Sequence, residues 1–170
     1  MDMIASYHMV NIETISHLLA LDGYDLAEEI QDTISNTSLH TVSIDKNWDG
    51  LHFLLTEKSV ATPLKDNKLS EAVMGAHFFS EGEENDFITF LLFDEIKEIV
   101  TAMTAIKKEK LKKSFSPELF SKSKIYPDIW LTRKKEDLFD NLYKKGFKPL
   151  LQFYRKALRK RKCVIITILS

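Results

Sequence analysis

Apolar residues recur at helical spacing over much of this chain, and in a few short stretches they become nearly continuous. The segment "IETISHLLAL" follows Asn11, a good N-cap, and sets Ile12, Ile15, Leu18 and Leu19 on one face. "DLAEEIQDTI" repeats the pattern with Leu26, Ile30 and Ile34 at i, i+4 and i+8. The short run "LHTVSI", residues 39–44, predicts a strand that leads into "DKNWDGLHFLLT", a helix over 45–56. Ser70 and Glu71 open a brief helical turn that Gly75 can end, because glycine takes the left-handed conformation without a Cβ clash. "AHFFS" and "FITFLLF" predict a hairpin joined by the acidic loop Ser80 to Asp86.

The second half continues in the same manner. Asp94 is expected to cap one long helix, "EIKEIVTAMTAIKKEKL", whose lysines gather toward the negative end of the helix dipole. Ser116-Pro117-Glu118 is a compact helix start, and "IYPDIW" reads as extended or turn-like because the residue before proline avoids the helical region. Two closing helices follow, one ended by Gly146 and one begun near Pro149. The chain finishes in "CVIITI", apolar at nearly every position, which predicts a central strand covered on both faces. The expected fold class is α+β (mixed α/β), helices packed around a small mixed β-sheet, in a single domain spanning residues 1–170. The loop-rich stretch from Thr56 to Lys68 is not a domain boundary.

Charge changes this picture. The net charge is −1, yet residues 1–100 hold 5 Lys and Arg against 19 Asp and Glu, and residues 101–170 hold 19 against 6. If the halves meet, their attraction favours the compact state modestly; if they stay apart, the surface presents an acidic and a basic face that steer charged partners. The stretch "RKALRKRK" closes a helix and reads as a solvated basic face. Its aromatics, Phe153 and Tyr154, precede the cluster rather than interleave with it, which argues against nucleic acid. The lone Cys163 lies in an apolar run and reads as a small buried hydrophobe in a reducing compartment. The start "MDMIASYHMV" lacks a secretory signal and no run reaches membrane-spanning length, so a cytoplasmic protein that does not enter a membrane is expected.

The chemistry concentrates on the 45–56 helix. Ile44, Trp48, Leu51 and Leu55 form its core stripe, with Asp45, Asp49, His52 and Thr56 on a neighbouring strip, and Gly50 placed to let another element approach. On the structural reading, Asp45 is the N-cap, Lys46 pairs with Asp49, and His52 donates to a carbonyl or carboxylate. On the catalytic reading, Asp45, Asp49 and His52 converge on a cleft with His52 as general base. Lys46, Trp48, Gly75, His77, Tyr126 and Trp130 would then line the ligand. Tyr126 and Trp130, flanking a proline turn, are the kind of aromatics that more often seal a core edge than stack on a ligand. No HExxH, paired CxxC, GxGxxG or GxxxxGK[ST] motif occurs, and neither a metal nor a cofactor is expected.

Taken in order, Asp45-Lys46-x-Trp48-x-x-Leu51-His52-x-Leu54-Leu55, Ala72-Val73-x-Gly75, Ile125-Tyr126-Pro127-x-x-Trp130 and Phe147-x-x-Leu150-x-x-Phe153-Tyr154 resemble the bacterial YfbM-like family over nearly the whole chain. Members tend to begin Met-Gly-Met where this chain has Met1-Asp2-Met3, and to carry a second glycine at the position of Ala76. The resemblance implies a small cytoplasmic α/β-type protein of no settled activity, with the blocks around Trp48 and Trp130 close together. The leading functional expectation is a non-catalytic binding or interaction protein with a protein partner, of the immunity or adaptor kind. The alternative is a small-molecule hydrolase or transferase using Asp45, Asp49 and His52.

Overall fold

The apolar run Cys163–Leu169 is the middle strand of a five-stranded sheet. The computed structural model describes residues 2–62, 64–79 and 87–170, so the expected acidic loop Ser80 to Asp86 lies outside the described residues. The strands are β1 (Ile4–Val10), β2 (Thr41–Asp45), β3 (His77–Phe78), β4 (Phe87–Leu91) and β5 (Cys163–Leu169), in the order β2-β1-β5-β4-β3. Every neighbouring pair is antiparallel, so the α+β class holds while the sheet is not mixed in direction. The continuous apolarity of β5 has the anticipated cause, for helices cover both faces. Val164, Ile166 and Ile168 face one core, and Cys163 and Ile165 face the other.

The smaller core lies under α1 (Ile12–Leu19) and α2 (Gly23–Ile34), whose Ile15, Leu18, Leu26 and Ile30 pack on Val10, Phe90 and Ile165. The larger core belongs to α3 (Trp48–Thr56), α4 (Lys68–Met74), α5 (Phe93–Thr104), α6 (Lys108–Ser114), α7 (Pro117–Lys122), α8 (Lys135–Leu142) and α9 (Lys148–Arg159). The C-terminal end of α4 is tied down unusually well. Helix ends leave carbonyls without partners, and here Tyr154 donates its hydroxyl to the Ala72 carbonyl at 2.5 Å, Tyr7 to Val73 at 2.8 Å, and Thr89 to Met74 at 2.7 Å. Burial pushes the Tyr7 and Tyr154 phenols up, so both stay protonated donors.

Several boundaries differ from expectation. The strand β1 was hidden because Ser6 and His8 interrupt its apolar side chains, although Ala5, Tyr7 and Met9 alternate onto the larger core. Asp45 is not the cap of α3. It ends β2 in a left-handed conformation (φ 53°), exposed to solvent, and α3 begins three residues later. Asp94 does not cap α5 either; the Glu95 carboxylate accepts from the Leu92 amide at 2.7 Å, which starts the helix earlier. The helix expected over 95–111 breaks after Thr104, and in the lysine-rich α6 only Leu111 is buried. Gly146 does not end a helix. It lies within a π-helical turn, Tyr143–Phe147, that joins α8 to α9. A Cβ there would stand 3.6 Å from Asn47 and 3.7 Å from Leu51, ordinary contact distances, so the turn packs on α3 without requiring glycine.

Candidate functional site

Asp49, His52 and Thr56 share one side of α3, as their spacing requires, and that side is turned into the protein. His52 is 1% exposed. Its Nδ1 lies 2.6 Å from the Lys58 carbonyl, which can only accept, so Nδ1 carries the proton and Nε2 accepts from the Ser70 hydroxyl at 2.7 Å. Thr56 donates to the His52 carbonyl at 2.7 Å. The Asp49 carboxylate accepts from the backbone amides of Tyr126 at 2.9 Å and Val60 at 3.3 Å. These contacts tie residues 58–60, the first turn of α4 and the Tyr126 segment to a single helix. An imidazole beside a serine hydroxyl is the geometry of an activated nucleophile, but both side chains are buried and neither lines either of the two clefts described below.

The catalytic set read from the sequence therefore does not assemble. Asp45 stands apart on the exposed end of β2, Asp49 is engaged by backbone amides, and neither ring nitrogen of His52 meets a carboxylate. Lys46 does not pair with Asp49; its ammonium lies 2.7 Å from Asp2. Trp48 donates its indole N–H to the Met3 carbonyl at 3.0 Å and stacks on Tyr126 at 5.4 Å, and the Tyr126 hydroxyl accepts from the Met3 amide at 3.1 Å. Trp130 is buried, donates to the Ile125 carbonyl at 2.7 Å, and lies against Gly50, where a Cβ would come within 2.8 Å of its ring. The Trp48 and Trp130 blocks are neighbours through packing, with Gly50 as the contact point. Among the described residues, no three His, Cys, Asp or Glu side chains come together as a metal site would need.

Burial pulls the His52 imidazole below its ordinary value, against the opposing effects of the Lys58 carbonyl and the Asp49 charge, and burial does the same to His8. A ring held neutral in the folded state takes up its proton later than the unfolded chain does. The stability it contributes is whole above the unfolded value of 6.5 and is lost as pH falls from there through the lowered folded value. We expect His52→Ala to cost about 1–3 kcal/mol by leaving the Ser70 hydroxyl without its acceptor and the Lys58 carbonyl with only the longer contact from Thr56 at 3.2 Å. It should also flatten the fall of stability below that pH. Urea unfolding of both proteins across this range checks the two effects together.

Two clefts lie elsewhere. One, of about 500 Å³, runs between α1 and α2 and is lined by Glu13, His17, Glu29, Asp32 and Lys162 among others. The second, of about 340 Å³, lies where α4, β3 and α5 meet, and it holds Gly75 and His77, the two ligand candidates from that turn. Its other charged members, Lys65, Asp66, Lys68, Glu71 and Glu95, carried no signal in the sequence, since only the fold brings Glu95 of α5 beside α4 and the residues before it.

Comparison with known proteins adds three findings. A family model described as a domain of unknown function, DUF1877, matches residues 1–167. The Escherichia coli (strain K12) protein YfbM is 30% identical over 159 residues, covering 94% of this chain and 93% of that one. The crystal structure of the E. coli protein, described as one of unknown function, superposes with a TM-score of 0.80 at 29% identity, covering 98% of this chain and all of that chain.

Proposed function

The chain belongs to the DUF1877 family, and on that premise we propose that it is a non-catalytic binding protein whose acidic helix face docks on a basic surface of a partner protein. One observation carries the reading: among the described residues, no ion pair links the two oppositely charged halves of the sequence. Every ion pair among the described residues joins groups from the same half. Lys46 meets Asp2, Lys68 meets Glu71 and Glu98, and Lys144 meets Asp140; the His17–Glu29 and His77–Glu95 contacts, ion pairs only when the ring is protonated, also lie within one half. Asp22, Asp25, Glu28 and Asp32 are exposed on α2, with Glu29 beside them, while the lysines of α6 are exposed on the layer across the sheet. Unspent charge of one sign on one helix favours a partner of the opposite sign and speeds the encounter. A cytoplasmic setting suits the reading, since the single cysteine, Cys163, is a buried free thiol. Among the described residues, no helix is long and apolar enough to cross a membrane.

The test compares the native protein with Asp25→Lys/Glu28→Lys/Asp32→Lys, three exposed changes that leave the core untouched. Partners from the native host are captured at low and high salt, screening lengths of about 10 Å at 0.1 M and about 3 Å at 1 M. The expected result is a partner set held at low salt, released at high salt and missing from the variant. A set indifferent to both changes overturns the proposal.

A further inference from the structure

The smaller cleft offers something the acidic helix does not. Among the described residues, the His77 ring is fixed on two sides and unengaged at the third. Its Nε2 bonds Glu95 Oε1, its face packs on Phe90 at 5.0 Å, and its Nδ1 has no hydrogen-bond partner. Glu95 is held in turn, because its other oxygen accepts from the Leu92 amide. A carboxylate can only accept, so the proton of a neutral ring sits on Nε2 and the lone pair sits on Nδ1. The ring is part-exposed and lines a space of about 340 Å³, a volume suited to a small metabolite.

The surroundings decide what that lone pair can meet. Lys65 and Lys68 face Asp66, Glu71 and Glu95, so acids outnumber bases in the lining. The Lys68 ammonium is already shared between Glu71 at 2.9 Å and Glu98 at 3.0 Å, which together hold it charged well above the usual lysine range. An anionic ligand finds little to attract it there. Gly75 (φ 77°) lets this edge of the cleft seat directly on the sheet, since a Cβ at that position would collide with Thr89.

We propose that this cleft is a binding site for a small, uncharged or cationic molecule rich in hydroxyl or amine groups, with His77 Nδ1 as the acceptor that Glu95 holds in its tautomer. The site is independent of the acidic face on α2.

The substitution Glu95→Gln gives a sharp test. The glutamine oxygen can still accept from the Leu92 amide while its NH₂ donates to Nε2, and the ring proton must then move to Nδ1. Nitrogen-15 NMR of the histidine rings in mildly alkaline buffer reads the tautomer directly, with ethanolamine as the donor probe and acetate as the acceptor probe. In the native protein we expect an unprotonated Nδ1 and saturable shifts of Ala76 and His77 with ethanolamine but not with acetate. In the variant the proton moves to Nδ1 and ethanolamine binding weakens by about tenfold or more. A native Nδ1 that carries the proton overturns the proposal without recourse to any variant. So do equal responses of the two proteins, or no saturable response in the native one, either of which reduces the His77 to Glu95 contact to a strut between β3 and α5.

Discussion

Trp130→Ala lowers the unfolding free energy by about 3–5 kcal/mol, toward the upper end of the range for large aromatic truncations in a core. The indole lies edge-to-face on Phe120 at 4.7 Å and on Phe115 at 6.3 Å, and Phe120 in turn meets Phe53 at 4.8 Å. Removing it opens a cavity between α3 and α7 that these rings cannot fill by small shifts. It also strips the Ile125 carbonyl of its donor, adding the cost of an unpaired buried acceptor. Gly50 sharpens the effect, because the backbone of α3 lies directly against this ring, with Leu142 beside it. Guanidinium unfolding measures the change, and a loss under 1 kcal/mol would mean that the ring is a peripheral ligand stacker after all.

Gly75→Ala is expected to cost about 3 kcal/mol or more through two independent causes. Its backbone, φ 77° and ψ −179°, lies in a region that essentially only glycine occupies, worth about 1–3 kcal/mol for any other residue. An added Cβ would also stand 2.2 Å from Thr89 Oγ1 and 3.2 Å from Ile166 Cδ1, and such overpacking typically costs about 1–3 kcal/mol more. Thr89 cannot swing aside freely, since its hydroxyl donates to the Met74 carbonyl. Shortening the obstacle with Thr89→Ala in the same chain should recover part of the loss, and none at all would show the backbone conformation alone to be responsible. Thermal unfolding of the single and double variants separates the two.

What could be read from the chain follows from how local each signal is. The central place of β5 was legible because an unbroken apolar run admits few other homes, and the start of α7 was legible because Ser116 accepts from the Leu119 amide with proline at the first helical position. The strip of Asp49, His52 and Thr56 was legible as a strip, since helical spacing is local. What it touches was not, for its partners lie at residues 58, 60, 70 and 126, brought together only by the fold. The same limit hid the pairing of His77 with Glu95 and of Lys46 with Asp2, which depend on neighbours across elements. Asp45 was misread because a capping aspartate and a strand-ending aspartate in the left-handed region look alike in one dimension.

The order of the strands also bears on how the protein is made. As the ribosome elongates the chain, β1 can pair with β2 and β3 with β4, but the two ribbons share no edge until residues 163–169 emerge and slot between them. Until then the nascent polypeptide carries two open backbone edges, each a template for the wrong neighbour. Closure joins Ile4 to Leu169 and so pairs strands at opposite ends of the fold's element order, a contact of high sequence separation that forms late.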